Sequence, residues 1–247
     1  MFRFPFQGPD WRNRFIIGSV LSFAGCIIPI VPSIFVAGYL LQVMRRAIQG
    51  EELSLPAWED WGRLGVDGLR ALVVTLVYFL PGLIVFMGGL ALYFAASFSL
   101  PFFMNTADET SALAPLLILL ATMAIMFLSM FIGSILIAAG AIPWPIATAH
   151  FVAQDRVAAA LRVREWWPLL TRNKLGYFIT WVVILGLVGV LYLGAMLAYY
   201  SLVGCFLIPF LAAPLGFYLA LVGVALFGAT YRESVAISLS GTPPELT

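Results

Sequence analysis

Charged residues are gathered into short segments, and four long stretches between them contain none: residues 15–44, 71–100, 110–154 and 175–231. A helix rises 1.5 Å per residue and the hydrocarbon core of a bilayer is about 30 Å thick, so about 20 apolar residues suffice to cross it. Each stretch meets that length. The last is long enough for two crossings and carries Pro209 and Pro214, with Gly204 and Gly216 nearby. That pattern predicts helices at roughly 175–200 and 209–231. Residues 71–100 read as one long, tilted helix kinked at Pro81-Gly82. Residues 110–154 read as one crossing from about 114 to 140, a break at Pro143-Trp144-Pro145, and a further helix that leaves the membrane.

The first stretch is interrupted by Pro29 and Pro32, which leave limbs of about 14 residues, each ~21 Å long and too short to span alone. It is either one kinked crossing or a re-entrant hairpin with both ends on one face. Arg3, Arg12 and Arg14 precede it, and Arg45, Arg46, Arg63 and Arg70 follow it. Arg156, Arg162, Arg164, Arg172 and Lys174 lie in the later polar segment, and Arg232 follows the last stretch. A hairpin collects all 13 basic residues on one side, whereas a crossing leaves Arg3, Arg12 and Arg14 on the other. Because Lys/Arg bias sets orientation, the hairpin is expected, with both termini cytoplasmic. The tryptophans agree: Trp11, Trp58, Trp61, Trp144, Trp166, Trp167 and Trp181 fall in or near the segments assigned to that face. Indole rings favour the headgroup level, and Tyr199 and Tyr200 supply a smaller belt opposite.

Composition narrows the class further. Of 247 residues 62% are hydrophobic and only 10% charged, against about 25% charged in ordinary soluble chains. The net charge of +1 gives no field that would draw nucleic acid. Two cysteines and one histidine leave little for a metal site or a disulfide framework, and Cys26 and Cys205 read as ordinary buried small residues. Phe23-Ala24-Gly25-Cys26 imitates a lipoprotein cleavage box, but the residues after Cys26 are more apolar chain, so an uncleaved membrane segment is expected. The fold expected is an all-α integral membrane protein in a single domain, 1–247. It has about four full transmembrane helices, a Pro-broken N-terminal hairpin or kinked fifth span, and interfacial amphipathic helices.

Two units rhyme weakly. Residues 15–100 and 114–200 each read as a Pro-broken apolar segment, a helix, a tryptophan pair and a long apolar helix, the pattern of a parallel repeat, followed by a final helix 209–231. Within the first unit, Pro56 suits the first position of a helix, with Glu59 and Asp60 in its early turns. At 100° per residue, Trp58, Trp61, Gly62, Gly65 and Leu69 share one face, and Glu59, Asp60, Arg63, Asp67 and Arg70 share the other. The expectation is an amphipathic helix lying along the cytoplasmic interface, a lipid-sensing or partner-docking surface as readily as a solvated linker.

Several local runs resemble a known family. They are Asp10-Trp11, Ile17-Gly18, Ile28-Pro29-Ile30, Gly38-Tyr39-Leu40, Arg45-Arg46, Gly50, Leu55-Pro56-x-Trp58-Glu59-Asp60-Trp61, Gly68-Leu69 and Tyr78-x-Leu80-Pro81. Ala149-His150-Phe151-Val152-Ala153 and Leu161-x-x-x-Glu165-Trp166-Trp167 continue them in the second half. Together they are similar to a family of prokaryotic multi-pass membrane proteins catalogued as domain of unknown function 4013. The resemblance implies a bacterial or archaeal cytoplasmic membrane protein and no particular activity.

Enzyme signatures are missing from the sequence: no phosphate loop, no Gly-x-Gly-x-x-Gly, no Cys-x-x-Cys and no His-Glu-x-x-His. Glu51/Glu52 and Glu59/Asp60 are adjacent acids of a kind usually just solvated. His150 is the one candidate cofactor ligand, suited to haem iron or a chlorophyll magnesium, with a hydrogen-bonded structural role the commoner alternative. Pro29/Pro32 and Pro143/Pro145 break helices at corresponding positions, as transporters do at binding sites, yet no predicted span carries a charge. Ser129/Gly133, Ser134/Ala138 and Gly216/Ala220 are small-residue pairs suited to helix contact. The function expected is therefore a non-catalytic accessory or scaffold subunit of a membrane complex. Trp58, Trp61, Gly62, Gly65, Ser129 and Gly133 are its expected interfacial or partner-packing residues. A translocator of an uncharged solute or lipid is second and a pigment- or haem-binding subunit third.

Overall fold

The structure, a computed structural model, describes residues 2–8, 10–104 and 113–240, with the side chains of all of these except 103, 104, 202, 203, 205 and 209. Among the described residues there is no strand. A short 3₁₀ turn, Phe4–Phe6, precedes α1 (Trp11–Ile27), α2 (Val31–Gln49), α3 (Trp61–Met104), α4 (Leu113–Ala141), α5 (Trp144–Gln154), α6 (Val157–Leu161), α7 (Val163–Arg172), α8 (Lys174–Tyr199) and α9 (Leu202–Ser240). Among the described residues four segments are long and apolar enough to cross a membrane: Trp61–Phe102, Leu113–Gln154, Lys174–Tyr199 and Phe210–Ser240. The chain is an all-α membrane protein. It divides into two compact units, residues 1–74 with 145–247, and residues 75–144.

In the first unit the chain breaks at residues 28–30, where Pro29 denies the helix a donor, and α2 restarts with Pro32 in its first turn. The limbs are longer than the apolar run suggests, 17 and 19 residues rather than about 14. The helices carry on through Arg12 and Arg14 at one end and Arg45 and Arg46 at the other, because arginine is a good helix former whatever its charge. Gly50 ends α2 in the left-handed region at φ 76°, and the amides of Gly50 and Glu51 bond back to the carbonyls of Ala47 and Arg46 at 3.3 and 3.1 Å.

α9 is the common support of this unit, packing on α1, α2, α7 and α8. Phe15 meets Phe217 and Phe23 stacks on Phe210, so α1 runs antiparallel to α9. Tyr39 meets Phe217 and Ala47 meets Gly228, so α2 runs parallel to it. The two limbs form a hairpin reaching the beginning of the apolar part of α9. Trp181 against Phe227 and Thr180 against Thr230 set α8 antiparallel to α9. The turn between α8 and α9 falls at Tyr200-Ser201 and not at the prolines. Ser201 Oγ accepts the Gly204 amide at 3.5 Å, and Gly204 lies against the Ala198 carbonyl, where a side chain would not fit. Pro214 is simply carried inside α9, and the side chains of Cys205 and Pro209 are outside the described residues.

The amphipathic helix expected from Pro56 does not form. Residues 51–60 are non-helical, and α3 starts at Trp61 because Asp60 caps it, its carboxylate accepting the Arg63 amide at 3.0 Å. Three side-chain bonds hold the preceding segment in place: Arg14 donates to the Leu55 carbonyl, Tyr39 to the Pro56 carbonyl at 2.9 Å, and Trp58 Nε1 to the Arg14 carbonyl at 2.9 Å. The first two satisfy carbonyls that a helix would have satisfied itself, and the third ties the Trp58 side chain to α1. The polar residues 61–70 are the first turns of a 44-residue helix, continuous through Pro81. Gly38 lies on the Leu64 carbonyl and Gly68 on the Ile34 carbonyl, so α2 and α3 cross backbone to backbone.

In the second unit α3 and α4 pair antiparallel along small residues. A Cβ at Gly82 would come within 2.7 Å of the Ile137 amide nitrogen, and one at Gly133 within 2.8 Å of that of Phe86. Gly89 lies under Ser129 and Gly140 against the Tyr78 carbonyl. Trp144 Nε1 donates to Thr75 Oγ1 at 3.2 Å.

Candidate functional site

Ionisable groups of the first unit meet around the C-terminal end of α5. This 11-residue helix has no polar face: Pro145 through Val152 are all buried within the chain. Its only strong polar groups are at its end, and the fold builds two networks on them.

The first centres on His150, which is 5% exposed. Its Nδ1 is 2.8 Å from the Tyr231 hydroxyl on α9. Its Nε2 is 3.2 Å from Glu165 Oε2 on α7 and 2.9 Å from Gln154 Nε2, one turn along α5. Each neutral form of the ring satisfies two of these three contacts. With the proton on Nε2, the ring donates to Glu165 and accepts from Tyr231. With it on Nδ1, the ring donates to Tyr231 and accepts from Gln154. Arg162 Nη1 holds the other carboxylate oxygen at 3.0 Å. Hydrogen bonds from His150 and then Arg162 hold the Glu165 carboxyl below the usual carboxylate range. An axial metal ligand needs a ring nitrogen with a free lone pair, and in this structure both ring nitrogens of His150 face partners within the chain.

The second network surrounds Asp67, which is 3% exposed. Arg45 on α2, Arg63 and Arg70 approach its carboxylate at 3.8, 3.9 and 3.5 Å. Asp155, just past α5, takes Arg45 at 3.2 Å and Arg70 at 3.5 Å. It reaches them from the left-handed region, φ 51°, which aspartate tolerates better than most residues. Two carboxylates and three guanidinium groups thus join α2, α3 and the end of α5. The sequence pattern puts Asp67 on a solvated face with Glu59, Asp60, Arg63 and Arg70; it is instead the buried anion of this cluster.

The other residues singled out from sequence are scattered. Trp58 is buried and Trp61 is 42% exposed, so they do not share one lipid-facing surface. A Cβ on Gly62 would meet only Asp60 Oδ1 at 3.7 Å, and one on Gly65 the Phe35 ring at 3.5 Å. The close-approach glycines are Gly38 and Gly68 instead. Ser129 and Gly133 face α3 of their own chain, so the stripe read as a partner surface is already occupied. Cys26 is exposed, not buried. Tyr231 and Asp155 carried no sequence signal as site residues; Asp67 did, through its spacing from Arg63 and Arg70.

Among the described residues no three His, Cys, Asp or Glu side chains come together as metal ligands do. An open cleft of about 670 Å³ lies between the N-terminal turn, the end of α2 and α9, with Arg3, Gln7, Glu51, Glu52 and Arg232 in its wall. It is separate from both networks.

The sequence pattern of the family described as Protein of unknown function (DUF4013) matches residues 21–200. The chain belongs to this family. In this DUF4013 chain the match takes in both charged networks except Tyr231, which α9 supplies from beyond it. No curated protein and no solved structure matches the chain.

Proposed function

We propose that this chain is a non-catalytic subunit that works by packing against another protein within the membrane. The reading includes a bacterial or archaeal cytoplasmic membrane, with both termini on the cytoplasmic side. One observation carries it: no residue in the most apolar 18-residue stretch of α8 is buried within the chain. Gly186, Gly189 and Gly194 on this helix have open space where a Cβ would lie. A glycine inside a helix costs about 1 kcal/mol relative to alanine, and lipid tails gain nothing from it. A second backbone closing on the helix does gain, because small residues allow the axes to approach. The charged networks fit this reading as braces that fix α2, α3, α5, α7 and α9.

Blue-native electrophoresis of mildly solubilised membranes tests it. The wild type should migrate in an assembly larger than one chain, and Gly189→Leu should release it without lowering its melting temperature. A wild-type chain that migrates alone, or one that moves an uncharged solute across reconstituted vesicles, would overturn it in favour of a translocator. A visible absorption band on the purified protein would favour a pigment or haem role.

A further inference from the structure

The two long edges of α7 face different surroundings. Projected at 100° per residue, Val163, Trp166, Trp167, Leu169 and Leu170 occupy one arc, and Arg164, Glu165, Thr171 and Arg172 the other. The apolar arc is itself divided. Trp166 is 2% exposed and donates Nε1 to the Ala160 carbonyl at 3.0 Å, seating that flank on the chain. Val163 and Trp167, one turn apart on the other flank, are 49% and 52% exposed. Arg164 lies about 60° from Trp167 on the projection, just beyond Thr171.

Charge distinguishes this edge from the apolar spans. Between residues 156 and 174 there are five cations and one anion, Glu165. Glu165 is engaged by Arg162 and His150. Among the described residues Arg156, Arg164, Arg172 and Lys174 take part in no ion pair, and all four are exposed. The chain also fixes where α7 can be. It follows the candidate span Leu113–Gln154 and directly precedes the span Lys174–Tyr199, so it lies at a bilayer surface.

We propose that this edge of α7 binds anionic phospholipids of the membrane the chain spans. Val163 and Trp167 enter the boundary between headgroups and acyl chains, and Arg164 and Lys174 take lipid phosphates beside them. An apolar edge next to unpaired cations suits a lipid better than free phosphate, which has no use for the indole. It is α7, not the segment after Leu55, that plays the interfacial part. The proposal is independent of the partner-packing reading, since it uses only Lys174 of α8, at the first position of the helix and away from Gly186, Gly189 and Gly194.

The test uses the purified full chain in phosphatidylcholine bilayers that contain either brominated phosphatidylcholine or brominated phosphatidylglycerol at equal mole fraction. Bromine quenches nearby tryptophan. In the wild type the anionic lipid should quench several-fold more effectively at low salt, and the preference should shrink as salt is raised. Arg164→Gln with Lys174→Gln should bring the ratio close to one; both side chains are exposed and Arg172 keeps its bond to the Ser238 carbonyl, so the fold is left intact. Trp167→Phe should remove the part of the emission that the anionic lipid quenches. Equal quenching by the two lipids in the wild type, a preference unchanged in the double variant, or undiminished quenching in Trp167→Phe would overturn the proposal. The first of these would leave the edge to an acidic protein segment.

Discussion

Tyr39 and Trp58 lie ring on ring, their centroids 3.9 Å apart and their planes 4° from parallel. The tyrosine hydroxyl and the indole N–H then tie opposite sides of the same corner, one to the Pro56 carbonyl and the other to that of Arg14. An extended segment after the hairpin is thereby locked across both of its limbs. Trp58→Ala should lower the stability of the detergent-solubilised protein by about 3–5 kcal/mol, the usual cost of truncating a buried aromatic side chain. Trp61→Ala, at an exposed position, should cost much less. Thermal unfolding of the two variants checks the order, and a larger loss for Trp61 would contradict this packing.

The glycines divide in the same way. Gly68→Ala drives a Cβ into the Ile34 carbonyl and Gly38→Ala one into the Leu64 carbonyl, so each should lower the melting temperature markedly. Gly62→Ala meets only the end of Asp60 and should be neutral or stabilising by up to about 1 kcal/mol. Melting curves of the three variants read this directly.

Gly133→Leu should disrupt the chain itself. Its side chain would have to displace the Phe86 backbone, 2.8 Å from where the Cβ would lie. The purified variant should melt well below the wild type, and Gly88→Ala, where a Cβ would meet nothing, should not. A Gly133→Leu chain as stable as the wild type would show that α3 and α4 do not meet there.

Asp67→Asn should destabilise the chain, because it removes the buried anion that Arg45, Arg63 and Arg70 approach, but by less than the ~3–5 kcal/mol of a fully buried pair, since the three guanidinium groups keep access to solvent. Combining it with Arg45→Met should recover part of the loss. Additive losses in a double-mutant cycle would mean that the 3.8 Å approach carries no coupling.

Acid should loosen the contact between α5 and α7. A carboxyl held below its ordinary pKa in the folded state contributes stability that is fully present above the unfolded value, about 4.3, and is lost as the pH falls through the lowered folded value. Melting temperature between pH 7 and pH 3 should therefore fall less steeply in Glu165→Gln than in the wild type, with a lower starting point at pH 7. Parallel curves would remove Glu165 from the acid response.

The distribution of charge along the chain was enough to determine that it is an all-α membrane protein, with breaks at Pro29 and Pro143. A bilayer admits few solutions: backbone groups must be satisfied within each segment, and some twenty apolar residues cross it. The Ser129/Gly133 stripe was equally legible as a contact face, because small residues at that spacing serve any helix that approaches. Periodicity cannot say which helix does, and tertiary structure assigned the stripe to α3. Helix starts escape sequence patterns where a nonlocal bond decides them, as at Leu55–Trp58, whose backbone is held by Arg14 and Tyr39 from more than fifteen residues away. Asp67, His150 and Glu165 were visible as polar residues, but whether each is solvated or buried against partners depends on chain segments brought together only by folding. Tyr231, 81 residues from His150, is the clearest case: the helix that presents it is written in the sequence, and the contact it makes is set by how that helix packs.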